Sequence, residues 1–209
     1  MLVKAWADGW TMVRGTPAPL EVPEGYRIDV NRPGHLTRYV LPTHAPELAA
    51  RLTAPDTWLK ICAPAPPLDE RWQVQAPEYL MRTQLTTAAP ICPPEYELEV
   101  GQVGSVIEVV ASRHGALAAR GKAAVTAEYA VIDQVMTEPD HQRRGLGTTV
   151  MRALSRAAGR SGARTGVLVA TEQGQQLYDR LGWVLVSPMT AARLRAPECP
   201  ELRADLPRG

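Results

Sequence analysis

Through the first 94 residues the apolar positions come in short runs broken by turn residues; beyond them the pattern lengthens and becomes regular. In the first stretch, alternation and β-branched or aromatic content predict strands at Tyr26–Val30, Arg38–Leu41, Thr57–Cys62 and Glu78–Leu85. Pro46–Leu52 reads as one short helix, with proline in its first position and Thr43 or His44 near the cap. Met1–Gly15 (MLVKAWADGWTMVRG) has Asp and Arg interrupting its apolar positions, so it does not read as a secretory signal. Residues 1–94 thus form a small α+β unit without a chemical motif, in which Trp58 and Trp72 are expected as buried anchors.

After Ile91-Cys92-Pro93-Pro94 the elements are longer. Gly104–Ala111 and Ala116–Thr126 flank the polar turn Ser112–Gly115 and read as a hairpin. Tyr129–Thr137 is a third strand, closed by Glu138-Pro139-Asp140. Leu146, Val150, Ala153, Leu154 and Ala157 recur at helical spacing, which predicts a helix over 146–158 stopped by Gly159 and Gly162. Arg164–Ala170 is a nearly continuous apolar strand, as expected when both faces are covered. Glu172–Leu181 is a short helix ended by Gly182, and Trp183–Ser187 and Ala191–Arg195 are the last two strands. From Gly104 the order is strand-strand-strand-helix-strand-helix-strand, a mixed sheet with a crossover helix.

Composition narrows the function classes. Of 19 prolines, 14 lie in residues 1–94, which marks the change of character near residue 94. The 23 basic and 22 acidic residues leave a net charge of +1, so nucleic acid is not expected as a partner. No apolar run approaches the ~18–20 residues of a membrane-spanning helix, so a membrane is not expected either. Cys62, Cys92 and Cys199 are odd in number and widely spaced, without a CxxC pair or a histidine cluster. A disulfide framework and a metal site are therefore not expected, and the pattern points to a cytoplasmic protein with reduced thiols.

The most informative segment is Gln142-Arg143-Arg144-Gly145-Leu146-Gly147-Thr148, between a strand and a helix. Glycines there let several main-chain N–H groups converge, and the helix N-terminus adds its positive end, which makes a pyrophosphate site. Thr148 offers a hydroxyl, and Arg143 and Arg144 offer charge-assisted contacts. The segment lacks the lysine of a Walker loop and the spacing of a dinucleotide fingerprint. His141 precedes the turn and His114 sits in the hairpin turn; neither has a triad partner.

Gln142, Gly145 and Gly147 resemble the fixed positions of the acyl-CoA motif [QR]-x-x-G-x-[GA] of the GNAT acetyltransferase superfamily. Leu177-Tyr178-Asp179-Arg180-Leu181-Gly182-Trp183 is similar to that family's LYxxLGF signature and follows at the family's spacing. The resemblance covers about residues 100–195, within a domain expected over 95–209; residues 1–94 are outside it or match only a degenerate relative. It implies a mixed α/β fold of α+β type: a central mixed sheet with splayed parallel strands, flanked by helices, with the N-terminal unit packed on it.

It also implies an acetyl-CoA-dependent N-acetyltransferase with acetyl-CoA as cosubstrate and a small-molecule or protein amine as acceptor. In that reading the edge at Val135, Met136 and Thr137 pairs with the pantetheine arm, and a main-chain N–H near Val135 or Met136 polarises the thioester carbonyl. Tyr178 stands where the family's thiolate-protonating tyrosine stands. Asp133 is the candidate base, because alternation places it on the face of Val135 and Thr137; Glu128, Glu138 and a water chain compete with it. Thr171 stands where many relatives carry Asn, and Gly174 where Ala is common, so a pantetheine contact there would be lost or pass to a hydroxyl. The N-terminal unit is expected to shape the acceptor pocket or a homodimer surface. A non-catalytic acyl-CoA sensor is the alternative.

Overall fold

A computed structural model describes residues 2–195; Cys199 lies outside the described residues. The chain opens with helix α1 (Leu2–Arg14), which the reading of the segment as a candidate signal passed over. Its helical character lies in the spacing of Trp6, Trp10 and Val13, all buried, against the outward ion pair Lys4–Asp8 at 2.8 Å. Then follow β1 (Leu20–Val22), β2 (Gly25–Arg32), β3 (His35–Leu41), α2 (Pro46–Arg51), β4 (Thr57–Ile61), β5 (Trp72–Val74) and β6 (Glu78–Gln84). The start of α2 is at Ala45 and carries no side-chain cap, so neither Thr43 nor His44 serves there; Pro46 begins the helix.

The regular part supplies β7 (Glu97–Val103), β8 (Val106–Arg113), β9 (Ala116–Thr126) and β10 (Tyr129–Thr137). A single 3-10 turn at Pro139–His141 leads to α3 (Leu146–Arg160), β11 (Thr165–Thr171), α4 (Glu172–Arg180) and β12 (Val184–Leu194). The two last strands expected from sequence are one continuous strand. Pro188 does not break it, because β12 changes partners there: Val184–Met189 run along β6, and Thr190–Arg193 run along β4.

The strands form one sheet in the order β1-β2-β3-β4-β12-β6-β11-β10-β9-β8-β7, with β5 added against β12. The compositional change near residue 94 does not divide this sheet. β6 lies near its middle, antiparallel to both β11 and β12, with Met81 opposite Leu168 on one side and Leu185 on the other. The parallel pair β10–β11 is joined over Tyr129–Val131 and Thr165–Val167, and the two strands separate beyond.

Each face has its own cover. On one, α3 packs Leu146, Val150 and Leu154 against Ile107, Val109, Ile132 and Leu168. On the other, Trp6 and Trp10 of α1 pack at once on Ile28 and Val40 of β2 and β3 and on Val131 of β10. Those strands are far apart in the sheet order, so the sheet curls around α1. Gly9 permits that approach: a β-carbon there would run into the Val131 side chain. The rear face of β3, β4 and β12 is closed by Leu48 of α2 and by Trp72, whose indole N–H donates to the Ala49 carbonyl at 3.4 Å. Trp58, half-buried, donates to the Gly34 carbonyl at 2.8 Å, so both expected anchors are tied by a hydrogen bond. Among the described residues no helix is long and apolar enough to cross a membrane.

Candidate functional site

The turn between β10 and α3 has the geometry its glycines imply. Gly145 has φ 84° and Arg143 has φ 60°, the left-handed conformation in which consecutive N–H groups turn toward one side. The first helical bond of α3 runs from Thr149 N–H to the Gly145 carbonyl at 3.1 Å. The amides of Leu146, Gly147 and Thr148 therefore have no partner inside the helix, and no side chain caps them. Leu146 is buried and fixes the turn to the core, while Gln142, Arg143 and Arg144 stand exposed around it and Thr148 is half-buried. The Gln142 amide donates to the Thr137 carbonyl at 3.4 Å. Thr149 donates to the Ile91 carbonyl at 2.7 Å, and the Tyr96 hydroxyl meets His141 Nδ1 at 3.0 Å. His141 thus braces the approach to the turn against the 91–96 segment.

Where β10 leaves β11 it also leaves β9. The register with β9 shifts between Asp133 and Met136, and Gln134 has φ 57°. Gln134 and Val135 consequently have no register partner on either side. This bulge corrects the expectation that Asp133 shares a face with Val135 and Thr137. One residue is inserted, so the alternation resets. Val135 packs with the α3-side core, and a β-carbon at Gly121 would meet it together with Val150 and Leu154. Asp133 lies on the α1 side, where Arg14 donates to both its oxygens, at 2.6 and 3.1 Å. Met136 turns to Arg120, whose Nε approaches its sulfur at 3.2 Å. Of the competing carboxylates, Glu128 precedes β10 at the end remote from the splay, where its carbonyl receives the Arg164 and Thr165 N–H groups. Glu138 lies past the strand's end, its N–H bonded to Ala118.

Across the splay, α4 begins at Thr171, whose hydroxyl accepts the Gly174 N–H at 3.2 Å. The two positions that depart from the family pattern are thus bonded to each other. Gly174 leaves room for Tyr178: a β-carbon at 174 would sit 3.2 Å from Tyr178 Cε2. The Tyr178 ring lies 6.0 Å from Trp183 and is half-buried against the core. Burial first, and the Asp133 charge second, push its phenol up to about 12. The Tyr178 hydroxyl therefore keeps its proton throughout the physiological range.

The α1 side of the cleft carries charged residues that the sequence did not single out. Arg38 is 8% exposed and Lys60 5%. Lys60 meets the Glu78 carboxylate, and Glu78 pairs with Thr171 at the open end of β11. Burial pushes Lys60 well down, and Arg38 adds to that. Nothing local marks these residues, because charged side chains in short strands ordinarily face water.

Residues 102–185 match the family model of the acetyltransferase (GNAT) domain. A GCN5-related N-acetyltransferase from Kribbella flavida has the same fold: TM-score 0.64 at 14% identity, covering 94% of this chain and 96% of that one. A GNAT-family protein from Novosphingobium aromaticivorans gives TM-score 0.57 at 18% identity, over 90% and 96% of the two chains. No curated protein matches the sequence. Residues 102–185 are thus similar to a GNAT acetyltransferase domain, and the fold shared with these neighbours extends over almost the whole chain.

Proposed function

We propose that this protein is an acetyl-CoA-dependent N-acetyltransferase that passes the acetyl group directly to a primary amine. The observation that carries the reading is the coincidence, at one end of the sheet, of three features. These are the uncapped amides of α3, the unpaired edge of β10 at Gln134 and Val135, and the protonated Tyr178 across the splay. When bound, acetyl-CoA supplies an activated acetyl thioester.

The turn amides, with Gln142, Arg143, Arg144 and Thr148, would hold its pyrophosphate. The residues fit an anion there, since three N–H groups await acceptors and no acidic side chain stands in the turn. The β10 edge at Val135, Met136 and Thr137 would take the pantetheine amides as an added strand does, and a Val135 or Met136 N–H would polarise the thioester carbonyl. Thr171 and Gly174 would border that arm, with the Thr171 hydroxyl free to donate while it caps α4. Tyr178 would give its proton to the sulfur. Asp133, fixed by Arg14, would receive the amine and take its proton.

The test is binding followed by turnover. Acetyl-CoA at a hundredfold its dissociation constant should stabilise the folded chain by about 2.7 kcal/mol, and thiol release should appear with some member of a panel of primary amines. Gly147→Asp sets a carboxylate among the turn amides and should abolish the thermal shift. Absence of calorimetric binding to the wild type at millimolar acetyl-CoA would refute the proposal.

A further inference from the structure

Among the described residues Arg38 and Lys60 are the buried charges, and the transfer chemistry leaves both without a role. Arg38 projects from β3 on the α1 side, in line with Val40, and its guanidinium lies over the Trp10 ring at 4.3 Å from the centroid. Its Nε donates to His35 Nε2 at 3.1 Å. The two terminal nitrogens have no acceptor among the described residues, yet neither is sealed from solvent.

The neighbouring cations are all provided for. Arg14 is paired with Asp133, Lys60 with Glu78, and Arg32 donates to the Arg14 carbonyl at 2.8 Å. His35 adds no charge: burial first, then Arg38, Arg14, Lys60 and Arg32, push it down to about 3. Neutral, it offers Nε2 as an acceptor and carries its proton on Nδ1. Arg32 has only the Arg14 carbonyl but lies exposed, so Arg38 is the cation left without a carboxylate, in a side chain more than nine-tenths buried, a costly arrangement unless an anion completes it.

That charge lies on the α1 side of the splay, which the transferase reading makes the acceptor side. Arg14 bridges from α1 to Asp133, Trp10 of the same helix floors Arg38, and Glu78 at the mouth of β11 holds Lys60. We propose that Arg38 binds a carboxylate of the acceptor, so that the amine acetylated here belongs to an amino-acid-like molecule. The proposal rests on the acetyltransferase reading above and names the substrate class of that site. Trp10 covers one face of the guanidinium and His35 occupies Nε, which leaves the end-on edge with its two parallel N–H donors. That edge matches the two coplanar oxygens of a carboxylate. A carboxylate also carries one negative charge, equal to the one unmatched cation, whereas a phosphate monoester carries nearly two. With the carboxylate on Arg38, the amino group is left for Asp133 and the thioester.

The experiment uses the full chain saturated with CoA, and a panel of the common amino acids, each beside its carboxamide, together with phosphoethanolamine. Binding is read as a thermal shift, and turnover with acetyl-CoA as thiol release. At least one acid should bind and react ten- to a hundredfold better than its amide. Arg38→Met, which keeps an unbranched stem over Trp10, should bring that acid-to-amide ratio close to one while leaving the acetyl-CoA shift intact. The proposal fails if no acid is favoured over its amide in the wild type, if phosphoethanolamine outranks every acid, or if Arg38→Met lowers acid and amide alike. The acid-to-amide comparison needs no variant, so misfolding of Arg38→Met would not shield the proposal. An intact acetyl-CoA shift with no acid preference overturns this inference alone; loss of the acetyl-CoA shift in the wild type overturns the transferase reading.

Discussion

At the scale of single residues, Tyr178 separates chemistry from mere binding. Its hydroxyl is held protonated by burial and by the nearby Asp133 charge, while its ring packs beside Trp183 and above Gly174. Tyr178→Phe removes one hydroxyl and keeps that packing. Melting temperature and acetyl-CoA affinity should stay close to wild type, and turnover should fall by about ten- to a thousandfold, the range of a lost general acid. Side-by-side kinetics and calorimetry on the two proteins decide it, and unchanged turnover would remove Tyr178 from the mechanism. Tyr178 and the glycine turn before α3 were legible in the sequence because each is a local pattern: an aromatic in a helix closed by glycine, and a glycine pair at a strand–helix junction. Arg38, His35 and Trp10 were not. Their partnership is made by a helix and a strand that meet only in the folded chain, and each taken alone is an ordinary surface or core residue.

At the scale of elements, the devices that shape the cleft are a bulge and a close helix contact. The bulge at Gln134 escaped the sequence because strict alternation holds through Asp133, and glutamine has no special preference for the left-handed conformation it adopts there. Its consequence is geometric: Asp133 turns to the α1 side while Val135 stays with α3. Helix α1 brings Arg14 and Trp10 to that side, and Gly9 sets how near it comes. Alanine is the better helix former by about 0.5–1 kcal/mol, so propensity alone predicts that Gly9→Ala stabilises the protein. Steric overlap with Val131, which overpacking data place at about 1–3 kcal/mol, should win. Gly9→Ala should therefore lower the melting temperature by ~2–8 °C, and in a Val131→Ala background the same change should be neutral or stabilising. A thermal melt of the four proteins tests this coupling; a higher melting temperature for Gly9→Ala in the wild-type background would show that α1 does not pack as described.

At the scale of the whole molecule, the N-terminal stretch supplies one end of the sheet, β1 to β4, and β6 at its middle. Its strands at Tyr26–Val30, Arg38–Leu41, Thr57–Cys62 and Glu78–Leu85 were readable from alternation, but their place in the sheet was not, because strand order depends on pairings between residues about a hundred positions apart. Met81 opposite both Leu168 and Leu185 is such a pairing. A truncated chain beginning at Pro94 would lose β6 from between β11 and β12, and α1 from the opposite face. The freed edges of two apolar strands would then be open to pairing between molecules, and Val131 and Val167 would lose their cover. We expect that chain to aggregate, or to lack a cooperative melt and acetyl-CoA stabilisation, as judged by size-exclusion chromatography and thermal denaturation. Residues 1–93 supplied as a separate chain during expression should restore at least part of the soluble, ligand-responsive protein, since β6 and α1 act through packing and pairing rather than through chain continuity. A truncated chain that is monomeric, melts cooperatively and is stabilised by acetyl-CoA would show that the C-terminal half closes its own sheet.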